Sequence, residues 1–288
     1  MTSVRILILS SLSMLAFACN SLLCRVALTQ TGIDAASFAS TRLISGAAVL
    51  WLIVRLRRGP QAKGGGDWWS AGALFAYAAT FSYAYVSLST ATGALLLFGA
   101  VQASMIGYGL WAGERLRRLQ LVGLALAIGG LAGLLSPGLS APPVAGAVLM
   151  ISAGVAWGVY SLRGRGAGDP LASTAGNFLR TVPLCLALSV ATLGSAQRDG
   201  AGLLYGIASG AVASGLGYII WYAALPALKA TSAAIMQLSV PVLAALGGVA
   251  LLNEPLTLRF ALSAAAILGG IALVVLQKKA AAAAASGK

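Results

Sequence analysis

The sequence predicts an all-α polytopic membrane protein: ten transmembrane helices forming two inverted five-helix repeats around a central cavity. Three observations predict it. Hydrophobic residues make up 59% of the chain and charged residues 9%, against about 45–50% and about 25% in soluble domains, so the charged surface of a water-soluble globule is missing. Ten apolar stretches each approach the roughly 20 residues that cross a bilayer. The last observation is an internal repeat: Ala94, Gly107, Glu114, Leu116, Ala125, Gly129, Gly130 and Ala132 recur 140 positions later as Ala234, Gly247, Glu254, Leu256, Ala265, Gly269, Gly270 and Ala272. An odd number of crossings per copy inserts the second copy upside down relative to the first.

The spans are expected at 5–25, 35–54, 68–88, 92–112, 119–136, 143–162, 172–194, 202–223, 231–251 and 257–276. Backbone groups in lipid must satisfy each other, so these are helices rather than open strands. The stretch Ile6 to Cys24 has the length of a signal peptide, and Leu22-Leu23-Cys24 hints at a lipoprotein site. The residue before the cysteine is not small and nine spans follow, so this is the first crossing. Ser89-Thr90-Ala91 joins the third and fourth spans in a tight hairpin, and Pro226 to Lys229 joins their counterparts. The segment Ser136 to Pro143 is too short for a domain linker, so the repeats, 1–138 and 139–279, make one membrane domain. Residues 280–288, six alanines and then Ser-Gly-Lys, read as a low-complexity tail or cloning scar.

Charge sets the orientation. With the N-terminus cytoplasmic, the inside segments hold Arg5, Arg55, Arg57, Arg58, Lys63, Arg115, Arg117, Arg118, Arg163, Arg165, Lys229, Lys278, Lys279 and Lys288, against Arg25, Arg198 and Arg259 outside. The positive-inside rule selects that topology, with both termini cytoplasmic in a bacterial inner membrane. It puts Glu114 inside and Glu254 outside, as inversion requires. The net charge of +13 is spread over connections rather than a soluble stripe, so nucleic acid is not an expected partner. Cys19, Cys24 and Cys185 show no metal-ligand spacing and histidine is absent, so no metal or cofactor is expected.

The six acidic residues lie in or beside connections, and none lies deep in a span. Proton exchange on a buried carboxylate is therefore not expected, and a polycationic substrate is disfavoured. Arg42 and Arg180 do sit within spans, at similar depths in the two repeats. Each is either an anchor for a substrate carboxylate or a structural group that snorkels or caps carbonyls. Tyr77, Phe81 and Tyr85 share one face of the third span by their four-residue spacing. Trp157 and Tyr160 lie on the sixth span, and Tyr218, Trp221 and Tyr222 on the eighth. These aromatics suit either a wide apolar cavity or interhelical packing and an interfacial belt. Asn20, Gln102, Asn177 and Gln237 are amides at mid-span and need partners from helices, water or substrate. Pro241 frees the backbone carbonyl of Gln237 and is expected to kink the ninth span, as a gating element or a simple bend. The pairs Gly109/Gly113, Gly129/Gly133, Gly154/Gly158 and Gly206/Gly210 read as close packing within the bundle. No phosphate-binding glycine loop and no cluster of catalytic groups occurs, so neither an ATPase motor nor an enzyme is expected.

Leu238-Ser-Val-Pro241-Val, Gly247, Asn253-Glu254-Pro255-Leu256 and Gly269-Gly270 close the second repeat. The first ends on Gly99-Ala-Val-Gln-Ala, Gly107, Gly113-Glu114-Arg-Leu116 and Gly129-Gly130, with Val101 in place of the proline. In these motifs, over residues 1 to about 279, the chain resembles the drug/metabolite transporter superfamily, in its ten-helix EamA-type branch. The resemblance implies a basket in which helices one, three, four, six, eight and nine enclose a cavity while five and ten brace it. It makes Asn20, Tyr77, Phe81, Gln102, Trp157, Tyr160, Tyr218 and Gln237 candidates to face that cavity. Sugar-phosphate relatives would carry lysine or arginine in those central helices, where this sequence has none. The aromatic, acid-free interior is closest in character to bacterial exporters of aromatic and other neutral amino acids. The expected function is export of such amino acids and related metabolites by alternating access, with small-molecule substrate and lipid bilayer as partners. A multidrug or general metabolite exporter of the same fold, and a passive channel, are the alternatives.

Overall fold

A computed structural model of the chain describes residues 3–58, 65–113, 116, 118–138, 141–164, 169–224, 228 and 236–286. Those residues are helical and connecting, with no strand among them. In chain order the helices are α1 (Ser3–Gln30), α2 (Ala35–Arg58), α3 (Trp68–Tyr85), α4 (Thr90–Trp111), α5 (Arg118–Leu135), α6 (Val144–Arg163), α7 (Pro170–Ala191), α8 (Gly200–Ile207), α9 (Gly217–Ala224), α10 (Ser239–Leu252) and α11 (Leu258–Ser286). A π-helical segment, Ala208–Leu216, joins α8 to α9, so the eighth span changes its winding midway.

Among the described residues eight helices are long and apolar enough to cross a membrane. The expected third and ninth spans are the exceptions. Tyr, Ser, Thr and Trp lower the hydropathy of α3 below that of the eight. The ninth span is broken by a turn at Leu238, and only α10 is continuous, while 231–235 lies outside the described residues. Pro241 is the third residue of α10, about one turn after that break. In a first turn the missing amide hydrogen leaves no internal bond unmade. α11 runs on through the alanines to Ser286, as alanine, the strongest helix former, favours.

The acidic residues in the connections have local work. Asp34, Asp67, Asp169 and Asp199 each accept backbone amides at the start of a helix, offsetting donors that have no helical partner. Two also cross-link loops. Asp34 accepts the Gln197 amide at 2.8 Å and Asp199 accepts the Gly32 amide at 2.7 Å, so the α1–α2 and α7–α8 connections hold each other. At Asn253 the chain turns left-handed (φ 52°), a conformation Asn tolerates at a helix C-terminus. That turn aims Glu254 at the third–fourth hairpin. Its carboxylate accepts the Thr90 amide at 2.8 Å and pairs with Arg25 at 3.3 Å, while Arg25 donates to the Tyr85 carbonyl at 2.8 Å. Glu114, its repeat counterpart, lies outside the described residues.

Helix pairs approach closely where glycine removes a side chain. A Cβ at Gly123 would meet the Gly270 carbonyl oxygen at 2.6 Å, which explains how α5 and α11 pack backbone to backbone. These two helices lie outside the rest and touch it chiefly through α4. Elsewhere α2 packs on α7, α3 on α6, and α4 on both α6 and α10. Leucines and valines such as Leu126, Val148, Leu204 and Leu262 point outward, where lipid covers them. Trp51, Trp68, Trp69 and Trp111 are exposed at the ends of α2, α3 and α4 that share one face of the bundle, as in an interfacial belt.

Asp67 also accepts Arg163 at 2.9 Å. Its slight burial acts to raise its pKa, but hydrogen bonds from Ser70 and Arg163 outweigh this and hold it at about 2. A carboxyl depressed in the folded state stabilises above its unfolded pKa of about 3.9, and that contribution fades as pH falls toward 2. Asp67→Ala should therefore cost about 1 kcal/mol at pH 7, the usual value of a helix cap. Thermal melting in detergent should show the gap to wild type narrowing between pH 4 and pH 2.

Candidate functional site

A narrow cavity of about 20 Å³, room for about one water, lies at the centre of the bundle. Its wall is assembled from Phe17, Asn20 and Ser21 of α1, Tyr77 and Phe81 of α3, Leu97 and Phe98 of α4, Trp157 of α6, Ala213, Ser214 and Tyr218 of the eighth span, and Gln237 just before α10. Six of the residues expected from sequence meet here: Asn20, Tyr77, Phe81, Trp157, Tyr218 and Gln237. Gln102 and Tyr160 do not line it. Gln102 is buried one helical turn beyond Phe98, with its Nε2 unpartnered among the described residues. Tyr160 stacks on Trp157 at 5.4 Å, but its hydroxyl turns away to Thr174 and Asn177 of α7.

The aromatic rings touch one another in series. Phe81 lies 5.4 Å from Tyr77, Tyr77 lies 4.9 Å from Trp157, Trp157 lies 5.2 Å from Tyr218, and Tyr218 lies 5.8 Å from Phe17. Such tilted and edge-on pairs contribute about 0.5–1.5 kcal/mol each beyond burial. They close the cavity against one another, so a ligand of any size must part them.

Behind this wall sits a polar network that sequence reasoning only half located. Arg42 is 1% exposed, although it begins less than three turns into α2. It does not snorkel. Its Nη2 donates to the Tyr77 hydroxyl at 2.9 Å, and its Nε reaches Ser214 Oγ at 3.4 Å. Its Nη1 has no acceptor among the described residues. The guanidinium lies 5.0 Å from the Tyr77 ring centre and 4.8 Å from that of Phe81, within the range of cation–π attraction. Asn20 donates to the same Tyr77 oxygen at 3.4 Å and accepts from Ser209 at 2.5 Å. Two donors occupy the acceptor positions of the Tyr77 hydroxyl, which leaves its own proton to give to an acceptor in the cavity.

Arg180 is different. It donates to the carbonyls of Gly65 at 2.7 Å and Gly176 at 2.9 Å, tying the start of α3 to α7. The two arginines, at similar depths in their spans by sequence, therefore do different things.

The π-helical winding makes the network possible. Ser209 and Ser214 are five residues apart and would stand about 140° apart on an α-helix turning about 100° per residue. A winding in which i bonds to i+5 returns them to one face, where one meets Asn20 and the other Arg42. Gly210, between them, lies against the Arg42 backbone carbonyl with no room for a side chain. Nothing in ASGAVASGL announces a π-helix. The signal available in the sequence was two serines flanking a glycine in an apolar span.

No group of three or more metal-binding side chains occurs among the described residues, and no nucleophile stands beside a base in the cavity wall. The arrangement can enclose an apolar body, orient it by hydroxyl and amide donors, and present a positive field from one side.

The model of the EamA-like transporter family matches residues 144–276. An uncharacterized protein of Pseudomonas aeruginosa is 57% identical over 271 residues, which cover 94% of each chain. An uncharacterized transporter of Archaeoglobus fulgidus is 28% identical over 263 residues, 86% of this chain and 89% of its own. A crystal structure of a protein 20% identical to this chain shares its fold, with a TM-score of 0.66 over 96% of this chain and 99% of the other. Residues 144–276 thus carry the EamA-like transporter domain, within a multi-pass membrane protein.

Tyr77→Phe removes the oxygen on which Arg42 and Asn20 converge and leaves two buried donors short of a partner. It should destabilise the protein by about 1–3 kcal/mol, read as a lower melting temperature in detergent with unchanged helicity.

Proposed function

We propose that the chain exports amino acids, aromatic or large neutral ones, and related metabolites across a bacterial inner membrane by alternating access. The observation that carries this reading is the ring series Phe81–Tyr77–Trp157–Tyr218–Phe17 around one central cavity, with Asn20 and Gln237 as its amides. Aromatic faces hold a planar apolar side chain, while amides and hydroxyls orient its polar end.

Two inverted five-helix repeats, 1–138 and 139–279, supply the motion. The packing partners support this, because they exchange when each span is replaced by the one five places away. The pairs second–seventh, fourth–ninth and fifth–tenth map onto themselves, third–sixth maps onto eighth–first, and fourth–sixth maps onto ninth–first. Such repeats rock about a fixed central site. The fourteen basic residues of the inside connections support cytoplasmic termini. Contact between the rings weighs against a standing pore.

Liposomes holding only the purified protein should take up tryptophan or phenylalanine faster than empty vesicles, and the flux should saturate. Uptake no faster than through empty vesicles would overturn the substrate reading, and flux without saturation would indicate a pore. Gln237→Ala should slow transport severalfold while the yield of folded protein stays the same. An equal loss of folded protein would make Gln237 architectural.

A further inference from the structure

We propose that the cavity recognises its cargo by a carboxylate held against Arg42, and that a free amino group adds nothing to recognition. This rests on the aromatic-cargo reading above and specifies which end of the molecule is read.

Arg42 carries a full positive charge, because guanidinium does not lose its proton in proteins, and it is 1% exposed. A buried charge is costly unless it is paired, and an ionisable group within a span is as a rule functional. No carboxylate pairs with it among the described residues. Asp34, Asp67, Asp169, Asp199 and Glu254 all stand at helix ends, where each accepts backbone amides. What surrounds Arg42 is neutral: one phenolic oxygen, one distant serine and two ring faces. Its Nη1 is left over. Arg180 shows how this fold satisfies an arginine that has only a structural task, with two backbone carbonyls on one nitrogen.

The unmet charge lies next to the cavity. Tyr77, Phe81 and Ser214 touch the guanidinium on one side and line the cavity on the other. The aromatic rings must part for any ligand, and a shift of Tyr77 or Phe81 brings Nη1 and Nη2 to the cargo. A guanidinium fork fits a carboxylate with two parallel hydrogen bonds, and the free proton of Tyr77 adds a third donor. One positive charge matches a singly charged anion. The lining holds no acidic group to receive an ammonium, and the field of Arg42 repels one. The cargo class is therefore the large apolar monocarboxylate, of which aromatic amino acids are one kind.

The test is equilibrium binding of three radiolabelled compounds to the purified full chain in nanodiscs: 3-phenylpropionate, phenylalanine and phenethylamine. They share a ring and chain and differ in carrying the carboxylate alone, both groups, or the amine alone. We expect 3-phenylpropionate to bind at least as tightly as phenylalanine and phenethylamine at least tenfold more weakly. Arg42→Gln should weaken 3-phenylpropionate at least tenfold without weakening phenethylamine, and Arg42→Lys should keep the wild-type order. Should Arg42→Gln fail to fold, the wild-type series and Arg42→Lys still decide. Phenethylamine binding as tightly as 3-phenylpropionate would overturn the carboxylate assignment and leave the aromatic-cargo reading standing. Binding of none of the three would overturn that reading and the assignment with it.

Discussion

A guanidinium sealed from water, with no carboxylate beside it among the described residues, is the constraint around which the centre of this molecule is built. The charge of Arg42 has to be met in a low-dielectric interior, and each neighbouring element contributes what it can. α3 supplies a hydroxyl and two ring faces, and α1 supplies Asn20 to steady that hydroxyl. The eighth span abandons α-helical winding, which brings Ser209 and Ser214 onto the face where Asn20 and Arg42 stand. Gly210 lets that segment settle on the backbone of α2. The sum is still incomplete, with one nitrogen lacking an acceptor among the described residues. On the reading proposed above, that nitrogen at the cavity wall is where cargo binds.

The distribution of strong and weak interactions follows the same logic. The ends of the spans are fastened by short, charged bonds: Glu254 to Thr90 and Arg25, Asp34 and Asp199 to each other's loops, Asp67 to Arg163. The middle is held by ring contacts and by hydrogen bonds of 2.5 to 3.4 Å, of which only those of Arg42 involve a charge. Rings slide and re-pack at lower cost than charge-assisted bonds break. Deformation is therefore concentrated at the cavity, while the loops keep neighbouring helices in register. α5 and α11, locked on each other through Gly123 and Gly270, brace the outside without entering the cavity.

Much of this was legible in the sequence, because lipid imposes simple rules. A helix must be apolar for about 20 residues, so most spans announced themselves within a few positions. The polar and aromatic residues that interrupt an apolar run had few places to go, and Asn20, Tyr77, Trp157 and Gln237 went to the cavity. Four things stayed hidden, each for a physical reason. Arg42 and Arg180 have the same residue type and similar depth, and what separates them is a tyrosine and a serine brought from spans three and eight. The π segment depends on tertiary contacts of Ser209, Gly210 and Ser214 rather than on propensity. Gln102 lies on the cavity-facing side of α4 by spacing, yet one turn beyond the cavity's end. The full break of the ninth span at Leu238, three residues before Pro241, depends on how the two segments pack and not on the proline alone.

In the proposed complex Arg42 holds the anionic end of the cargo while the rings hold its body. Solid-state NMR in liposomes measures this directly, as a distance from the ¹³C-labelled carboxyl carbon of bound 3-phenylpropionate to ¹⁵N-labelled arginine side chains. The account predicts a carbon–nitrogen distance of about 4 Å, the reach of a direct ion pair, which disappears in the Arg42→Lys protein. Bound ligand whose carboxyl carbon gives no dipolar contact to any arginine nitrogen would contradict it.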